Sequence, residues 1–318
     1  MYPSYLGAYN NGSLEKIIKK AFDLLESCGL CPRRCGINRL KNEFGFCRTG
    51  LLPKVCSIQP HYGEEPPISG KYGSGTIFFS CCNMACVYCQ NYEFSQLDEG
   101  REVTYEELAT FMLKLQKIKC HNINLVTPTH VMPQILKALC IAISWGLNIP
   151  IVYNTGGYEL KEVIELLDGI VDVYLPDMRY ADNAMAIKYS SACDYPKYNQ
   201  EAVKEMHRQV GIAKIDESGI IKRGLVIRHL VLPNNISGTK EIMRFISQEL
   251  SKDTYISLMS QYWPCYKAKD FPLLCRRITC EEYARARKMM HDYGLYNGWI
   301  QEAGGLERFK GTNIKRDV

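Results

Sequence analysis

The sequence predicts an α/β fold in which short parallel strands, joined by helices, curl into a partial barrel behind a small Cys-rich N-terminal segment. Three observations predict it. From residue 75 onward, short β-branched and aromatic runs alternate with helix-like stretches; parallel strands need crossovers of this kind, and right-handed crossovers curl a sheet. Polar residues collect just after the apolar runs, where α/β barrels build their sites. Four cysteines crowd into residues 28–47, ahead of the first run.

Taken in order, Gln59 to Gly70 is rich in Pro and Gly and reads as an irregular connection, presenting Glu64 and Glu65 on a loop as either site residues or a solvated pair. Gly75-Thr76-Ile77-Phe78-Phe79-Ser80 follows a Gly-rich turn and reads as a buried strand. Thr104 to Lys117 reads as a helix, with Thr104 as N-cap and Glu107 three residues on. Asn122 to Val126 is the next strand. A helix near 131–145 precedes a strand at Ile149 to Asn154, residues 158–167 read as helical, and Ile170 to Leu175 as a strand. Later strands are expected at Gly224 to Val231 and Tyr255 to Met259, and a last helix near 280–293 is stopped by Gly294. The expected division is a Cys-rich segment 1–70, a barrel 71–295 and a tail 296–318. No internal repeat or low-complexity segment is present.

Cys82, Cys86 and Cys89 stand in Cys82-Asn83-Met84-Ala85-Cys86-Val87-Tyr88-Cys89, on the loop leaving the first strand. A [4Fe–4S] cube normally takes four thiolates, so a tight triplet leaves one iron open for another ligand and for chemistry. Electron carriers more often close all four positions, and closed zinc sites also need four ligands. Two plainer readings stand beside this one: a zinc knuckle completed by His61, and a chance run in a Cys-rich chain.

A second group, Cys28-Gly29-Leu30-Cys31-Pro32-Arg33-Arg34-Cys35 with Cys47, has the C-x2-C opening of a metal-ligand turn, and Cys56 is a fifth candidate. Four thiolates there suit structural zinc or a second iron–sulfur cluster that relays electrons, and spacing does not choose between them; buried thiols are the plain alternative.

Composition narrows the class. At 318 residues and 46% hydrophobic, the chain can bury one barrel-sized core. Fifteen cysteines without an export signal argue for thiolate ligands and reduced thiols in the cytoplasm, and against disulfides. A formal charge of +5 with no Lys/Arg block does not indicate nucleic acid, and no stretch has the length and apolarity of a membrane span.

The strand ends carry Thr127-Pro128-Thr129-His130, Asn154-Thr155-Gly156-Gly157, Pro176-Asp177-Met178-Arg179 and Arg228-His229. A barrel with no site would not need this polar set at one end. Taken singly, each could be structural: a satisfied histidine, or an Asp177–Arg179 pair.

The C-x3-C-x2-C spacing resembles the radical S-adenosylmethionine (SAM) superfamily. The runs C-x2-C-P-R-x-C, His61-Tyr62-Gly63-Glu64-Glu65-Pro66, Cys86-Val87-Tyr88-Cys89-Gln90-Asn91-Tyr92, Val126-Thr127-Pro128-Thr129-His130 and Ser257-Leu258-Met259-Ser260-Gln261-Tyr262 look like the pyruvate formate-lyase activating enzyme-like family, related to the radical SAM component of the AmmeMemoRadiSam system. The similarity spans about residues 28–295.

The resemblance implies a partial (β/α)6 radical SAM barrel, with Cys82, Cys86 and Cys89 as [4Fe–4S] ligands and SAM chelated by the open iron. It implies Tyr88 beside the adenine, Asp177 and Arg179 as an acid–base pair approaching SAM, and Arg228-His229 as a later-strand element; Asn154 joins the expected SAM-binding set. The chemistry implied is reductive cleavage of SAM to methionine and a 5′-deoxyadenosyl radical that abstracts hydrogen. The finer expectation is a [formate-C-acetyltransferase]-activating-enzyme-like oxidoreductase acting on a glycyl-radical enzyme, reduced by flavodoxin or ferredoxin. Alternatives are another peptide, metabolite or RNA substrate, or a non-catalytic electron-transfer or scaffold protein. Two departures stand out: Cys81 replaces a usual glycine, and Thr127 to His130 stands where many members have a Gly-Gly-Glu segment for the SAM amino group.

Overall fold

The computed structural model describes residues 2–300. Its strands are β1 (Lys54–His61), β2 (Ser74–Phe79), β3 (Arg101–Glu102), β4 (Ile123–Val126), β5 (Ile151–Thr155), β6 (Val173–Pro176), β7 (Lys214–Ile215), β8 (Ile221–Leu230), β9 (Tyr255–Met259) and β10 (Gly298–Ile300). They form one sheet in the order β10-β9-β8-β6-β5-β4-β2-β1-β3, with β7 on β8. From β2 to β10 every pair on this path is parallel, so the expected α/β fold is present and the six expected strands are its centre. β1 and β3 add an antiparallel edge, which puts part of the Cys-rich segment into the sheet. β10 adds a parallel strand within the stretch expected as a tail; residues 301–318 lie outside the described residues.

The sheet is open, with β10 and β3 at its edges, yet strongly curled. β1 and β8 are five strand spacings apart, about 24 Å in a flat sheet. Glu64, three residues beyond β1, nevertheless forms an ion pair with Arg228 on β8, with Nη1 3.3 Å from Oε2. Side chains from successive strands therefore meet inside a partial barrel.

Alternation along the strands builds that interior in layers. Val152, Val173, Leu175 and Val226 pack with Ile68 and Ile221 as an apolar layer. Asn124, Asn154 and Arg228 share the inward faces of their strands and meet around Glu64. The outward faces bury Leu125, Tyr153, Tyr174, Leu225 and Ile227 against the helices.

The helix Tyr105–Lys117 begins with the expected capping box, both Thr104 and Glu107 closing it. Met132–Ser144 and Cys280–Asp292 fall where expected, and Gly294 adopts φ +74° just past the latter. The stretch 158–167 is helical only over Lys161–Glu165. The 16-residue helix Tyr195–Val210 was not among the expected elements; Pro196 in its first turn and buried Tyr195, Asn199, Ala202, Val203, Met206 and Val210 at three- and four-residue steps are its signature. Among the described residues, no helix is long and apolar enough to cross a membrane.

Candidate active site

The cysteine loop starts from β2, whose end is fixed by neighbours. His130 Nε2 lies 2.8 Å from the Ser80 carbonyl, and Cys81 adopts φ +68°. That left-handed backbone favours glycine, so the cysteine sits where a glycine is the ordinary choice. Its Sγ donates to Asp98 Oδ1 at 3.0 Å, and Asp98 also pairs with Lys54.

The sulfurs of all three triplet cysteines have polar neighbours. Cys82 Sγ accepts from the Met84 N–H at 3.3 Å. Cys86 Sγ accepts from Ser190 Oγ at 3.0 Å and from Arg179 Nη1 at 3.3 Å. Cys89 Sγ is 3.2 Å from Ser95 Oγ. Burial first, and then the neighbouring Cys86, pushes the Cys82 thiol well up and the Cys89 thiol up to about 11. Deprotonation there requires a compensating cation, which a metal centre provides. Soft thiolate donors on one loop, with hydrogen-bond donors at the Cys82 and Cys86 sulfurs and the Ser95 hydroxyl beside Cys89, suit an iron–sulfur cluster. His61 is set against Phe78, in the field of Arg228 and Glu65.

Asp177, just after β6, links this loop to the barrel interior. Its Oδ2 is 2.5 Å from Arg179 Nη2 and its Oδ1 3.0 Å from Arg228 Nε. Burial alone would raise its pKa, but Arg228 and then Arg179 outweigh that, holding the carboxyl below the usual range. Arg228 Nη2 also donates to Asn154 Oδ1 at 2.9 Å, and Asn124 Nδ2 donates to Glu64 Oε1 at 3.1 Å. Glu65 is buried as well, so the Glu64–Glu65 pair is not a solvated one. Burial raises both carboxyls, with Arg228 pulling the other way.

Tyr88 is buried beside the triplet, its hydroxyl 2.7 Å from that of Tyr180, which in turn is 2.7 Å from Ser190 Oγ. Tyr88, Asn154, Asp177, Arg179 and Arg228 thus surround one region next to the cysteine loop. His229 is not in that group. As the next residue along β8 it points the other way, Nδ1 2.7 Å from the Met178 carbonyl and Nε2 3.0 Å from Thr239 Oγ1, so it braces the Asp177–Arg179 segment.

Several groups around this region escaped the sequence reading as site residues. Asn124 lies in the apolar run of β4, Tyr180 follows Arg179 on the loop after β6, and Ser190 ends the helix Asn183–Ser190; the fold brings them to this region. The Asn124 Oδ1, Glu65 Oε2 and Arg179 Nε atoms are buried without a protein hydrogen-bond partner. Two acceptors and a donor left in this way suit a ligand carrying both an ammonium and a carboxylate, as SAM does. Gly157 adopts φ +75°, and an added Cβ there would collide with the Asp177 carbonyl and the Asn199 amide.

The N-terminal cysteine turn reaches the same loop through Arg33, whose Nε donates to the Asn83 carbonyl at 2.6 Å. Cys28, Cys31 and Cys47 are buried and Cys35 half-buried, and none of the fifteen cysteines forms a disulfide. Burial, countered by the Arg33 backbone, pushes the Cys31 thiol up to about 12, and Cys47 and Cys28 add to it. Cys56, on β1, lies instead in the field of Glu99 and Glu93.

The model of the radical SAM superfamily matches residues 76–246, from β2 through β8 and beyond. An uncharacterized protein of Methanocaldococcus jannaschii is 33% identical over 89% of this chain and 79% of its own length. A second from the same organism is 26% identical over 88% and 82%. Among solved structures, a radical SAM methyltransferase from Sphaerobacter thermophilus is similar at 15% identity and a TM-score of 0.48, covering 73% of this chain and 67% of that one.

Proposed function

The chain belongs to the radical SAM superfamily, and from that premise we propose that it is an activating enzyme of the pyruvate formate-lyase type, generating a radical on a glycine of a partner protein. Superfamily membership implies a [4Fe–4S] cluster and SAM; Cys82, Cys86 and Cys89 are the ligands we assign to the cluster. When bound, the pair supplies one-electron cleavage of the SAM sulfonium, giving methionine and a 5′-deoxyadenosyl radical.

The observation that carries the assignment is Arg179. One guanidinium touches Cys86 Sγ and Asp177 together, so the thiolate loop and the polar interior are held in one geometry. Arg179 donates to Cys86 Sγ and offers its free Nε to an anionic group. Asp177 holds Arg179 and Arg228 apart and in place. Asn154 and Glu64 fix the remaining face of Arg228. His229 and Tyr195 brace this segment through the Met178 and Asp177 carbonyls. Tyr88, buried against Tyr180 and Tyr262, is a flat apolar wall for an adenine.

The glycyl-radical step is supported by the motif resemblance from Cys28 to Tyr262 and needs a one-electron reductant of the flavodoxin or ferredoxin class. The test is anaerobic reconstitution with iron and sulfide, then dithionite and SAM, with chromatography for 5′-deoxyadenosine. The native protein should form it and a C82A/C86A/C89A variant should not. Adding a glycyl-radical enzyme should then give a glycine-centred signal by electron paramagnetic resonance. 5′-Deoxyadenosine formation without that signal would keep the radical chemistry and reject this partner.

A further inference from the structure

We propose that residues 260–279, between β9 and the helix Cys280–Asp292, form the docking face for a small acidic one-electron carrier protein that reduces the cluster assigned to Cys82, Cys86 and Cys89. The inner side of this segment is built onto the cysteine loop. Cys265 Sγ donates to the carbonyls of Tyr88 and Cys89 at 3.3 and 3.4 Å, and Gln90 Nε2 donates to the Gln261 carbonyl at 3.3 Å. Tyr266 stacks on Tyr92, with ring centroids 5.0 Å apart and planes within 13° of parallel. Tyr262, Ala268 and Leu274 are buried in one apolar cluster with Met84, Cys86 and Tyr88. The Tyr262 hydroxyl also donates to the Leu274 carbonyl at 2.7 Å, tying the segment to itself.

The outer side is cationic. Lys267, Lys269, Arg276 and Arg277 stand in this segment against one acidic residue, Asp270. Arg276 pairs with Glu282, whereas the exposed Lys267, Lys269 and Arg277 form no ion pair among the described residues. Aromatic faces carry two of them instead: Arg277 lies 3.8 Å over the Trp263 ring and Lys267 5.3 Å over that of Tyr266. A ring holds a cation in place without cancelling its charge. Trp263 and Leu273 are exposed as well, and Trp and Arg are among the side chains that most often anchor an interface.

Place and charge together select the partner. Cys265 touches the Cys89 backbone from within the same segment that exposes Trp263 and Lys267, so a redox group seated on this face is separated from the cysteine loop by that one layer of chain. Electron-transfer partners meet over small, transient interfaces, and attraction between unlike charges brings them together. Carriers of the flavodoxin and ferredoxin class are acidic, the complement of three unpaired cations. In the step the carrier is oxidised by one electron and the cluster reduced by one, with no bond formed or broken.

The presence of the cluster rests on the radical SAM reading, and the test separates the two. The anaerobically reconstituted native protein is compared with K267E/K269E/R277E and with K16E/K19E/K20E, an equal charge change at exposed positions of the helix Ser13–Asp23. Binding of an oxidised flavodoxin is measured by calorimetry, and cluster reduction by the photoreduced flavodoxin is followed by stopped-flow absorbance, with dithionite as the small-molecule comparison. K267E/K269E/R277E should bind the flavodoxin and accept its electron about 10-fold or more less well, with dithionite-driven 5′-deoxyadenosine formation unchanged; K16E/K19E/K20E should match the native protein. The native rate should also fall as salt is raised from about 0.1 to 1 M, which shortens the Debye length from about 10 to 3 Å, and this measurement decides if the first variant fails to fold. No flavodoxin binding by the native protein, equal binding by K267E/K269E/R277E, an equal loss in both variants or a salt-independent rate would each overturn the proposal. So would loss of the glycine radical with flavodoxin reduction intact, which would give the face to the substrate protein. Flavodoxin reduction that needs this face, without SAM cleavage, would sink the SAM reading alone.

Discussion

Arg179 Nη1 stands 3.3 Å from Cys86 Sγ while Nη2 of the same guanidinium holds Asp177 Oδ2 at 2.5 Å. A planar fork can serve a thiolate and a carboxylate at once; a lysine, with one ammonium, cannot hold the same two directions. A donor to a thiolate withdraws charge from sulfur and raises the potential of the metal centre it ligates. The R179Q variant should therefore lower cluster retention or SAM cleavage by roughly 10–100-fold and shift the cluster potential downward. R179K should fall between. A redox titration followed by electron paramagnetic resonance checks this, and a potential unchanged in R179Q would reject the role.

Arg228 is the cation on which three buried carboxylates depend: Glu64 and Asp177 by ion pairs and Glu65 through its field. Removing one partner of a buried pair leaves charge uncompensated, at a cost of about 3–5 kcal/mol. The R228M variant should lose stability on that scale, measured by urea unfolding. R228M/E64Q should recover part of it, since the second change removes one stranded charge. Equal midpoints for R228M and the native protein would show that the carboxyls are already neutral in the fold.

The Asp177–Arg179 ion pair and the place of the three cysteines on the loop after β2 were legible because each lies within a few consecutive residues. The barrel was legible too: its six central strands carry short, largely apolar runs of β-branched, aromatic and aliphatic residues, as strands covered on both faces tend to. What was not legible has specific causes. β3, β7 and β10 are two or three residues long, too short for periodicity to register. Glu64 and Glu65 read as loop residues, and only the curl of the sheet carries them inside. His229 and Arg228 are adjacent in sequence, yet alternation sends one to the helices and the other to the interior, so they could not serve as one element.

Gly157 lets the segment after β5 pass against the Asp177 carbonyl, where an added Cβ would meet backbone, which cannot move aside as a side chain can. Its φ of +75° adds conformational strain for any other residue. The G157A variant should be destabilised by about 1–3 kcal/mol or more and should weaken SAM binding by displacing Asp177. G156A is the contrast: at Gly156 the nearest atom is the flexible Met84 Sδ at 3.1 Å, so a smaller loss is expected. Thermal unfolding compares the two, and a G157A protein as stable as G156A would contradict the assignment.

Glu159 gives the fold a pH dependence whose sign can be worked out. The residue is fully buried, with Thr129 and Thr155 hydroxyls both donating to Oε1 at 2.5 Å. Burial raises its carboxyl from an ordinary 4.5 up to about 7, against the pull of those hydrogen bonds. Between these two values the folded state holds a proton that the unfolded chain has released, so rising pH favours unfolding. The stability contributed by the protonated group is complete below pH 4.5, declines through the interval and is lost above 7. At about 1.4 kcal/mol per unit, the change is on the order of 3 kcal/mol. The E159Q variant keeps an acceptor at Oε1 and does not titrate. Urea unfolding of both proteins from pH 4 to 8 should show native stability falling relative to E159Q across pH 4.5–7 and level beyond it. A difference that stays constant through that range would mean that Glu159 ionises in the fold as it does in water.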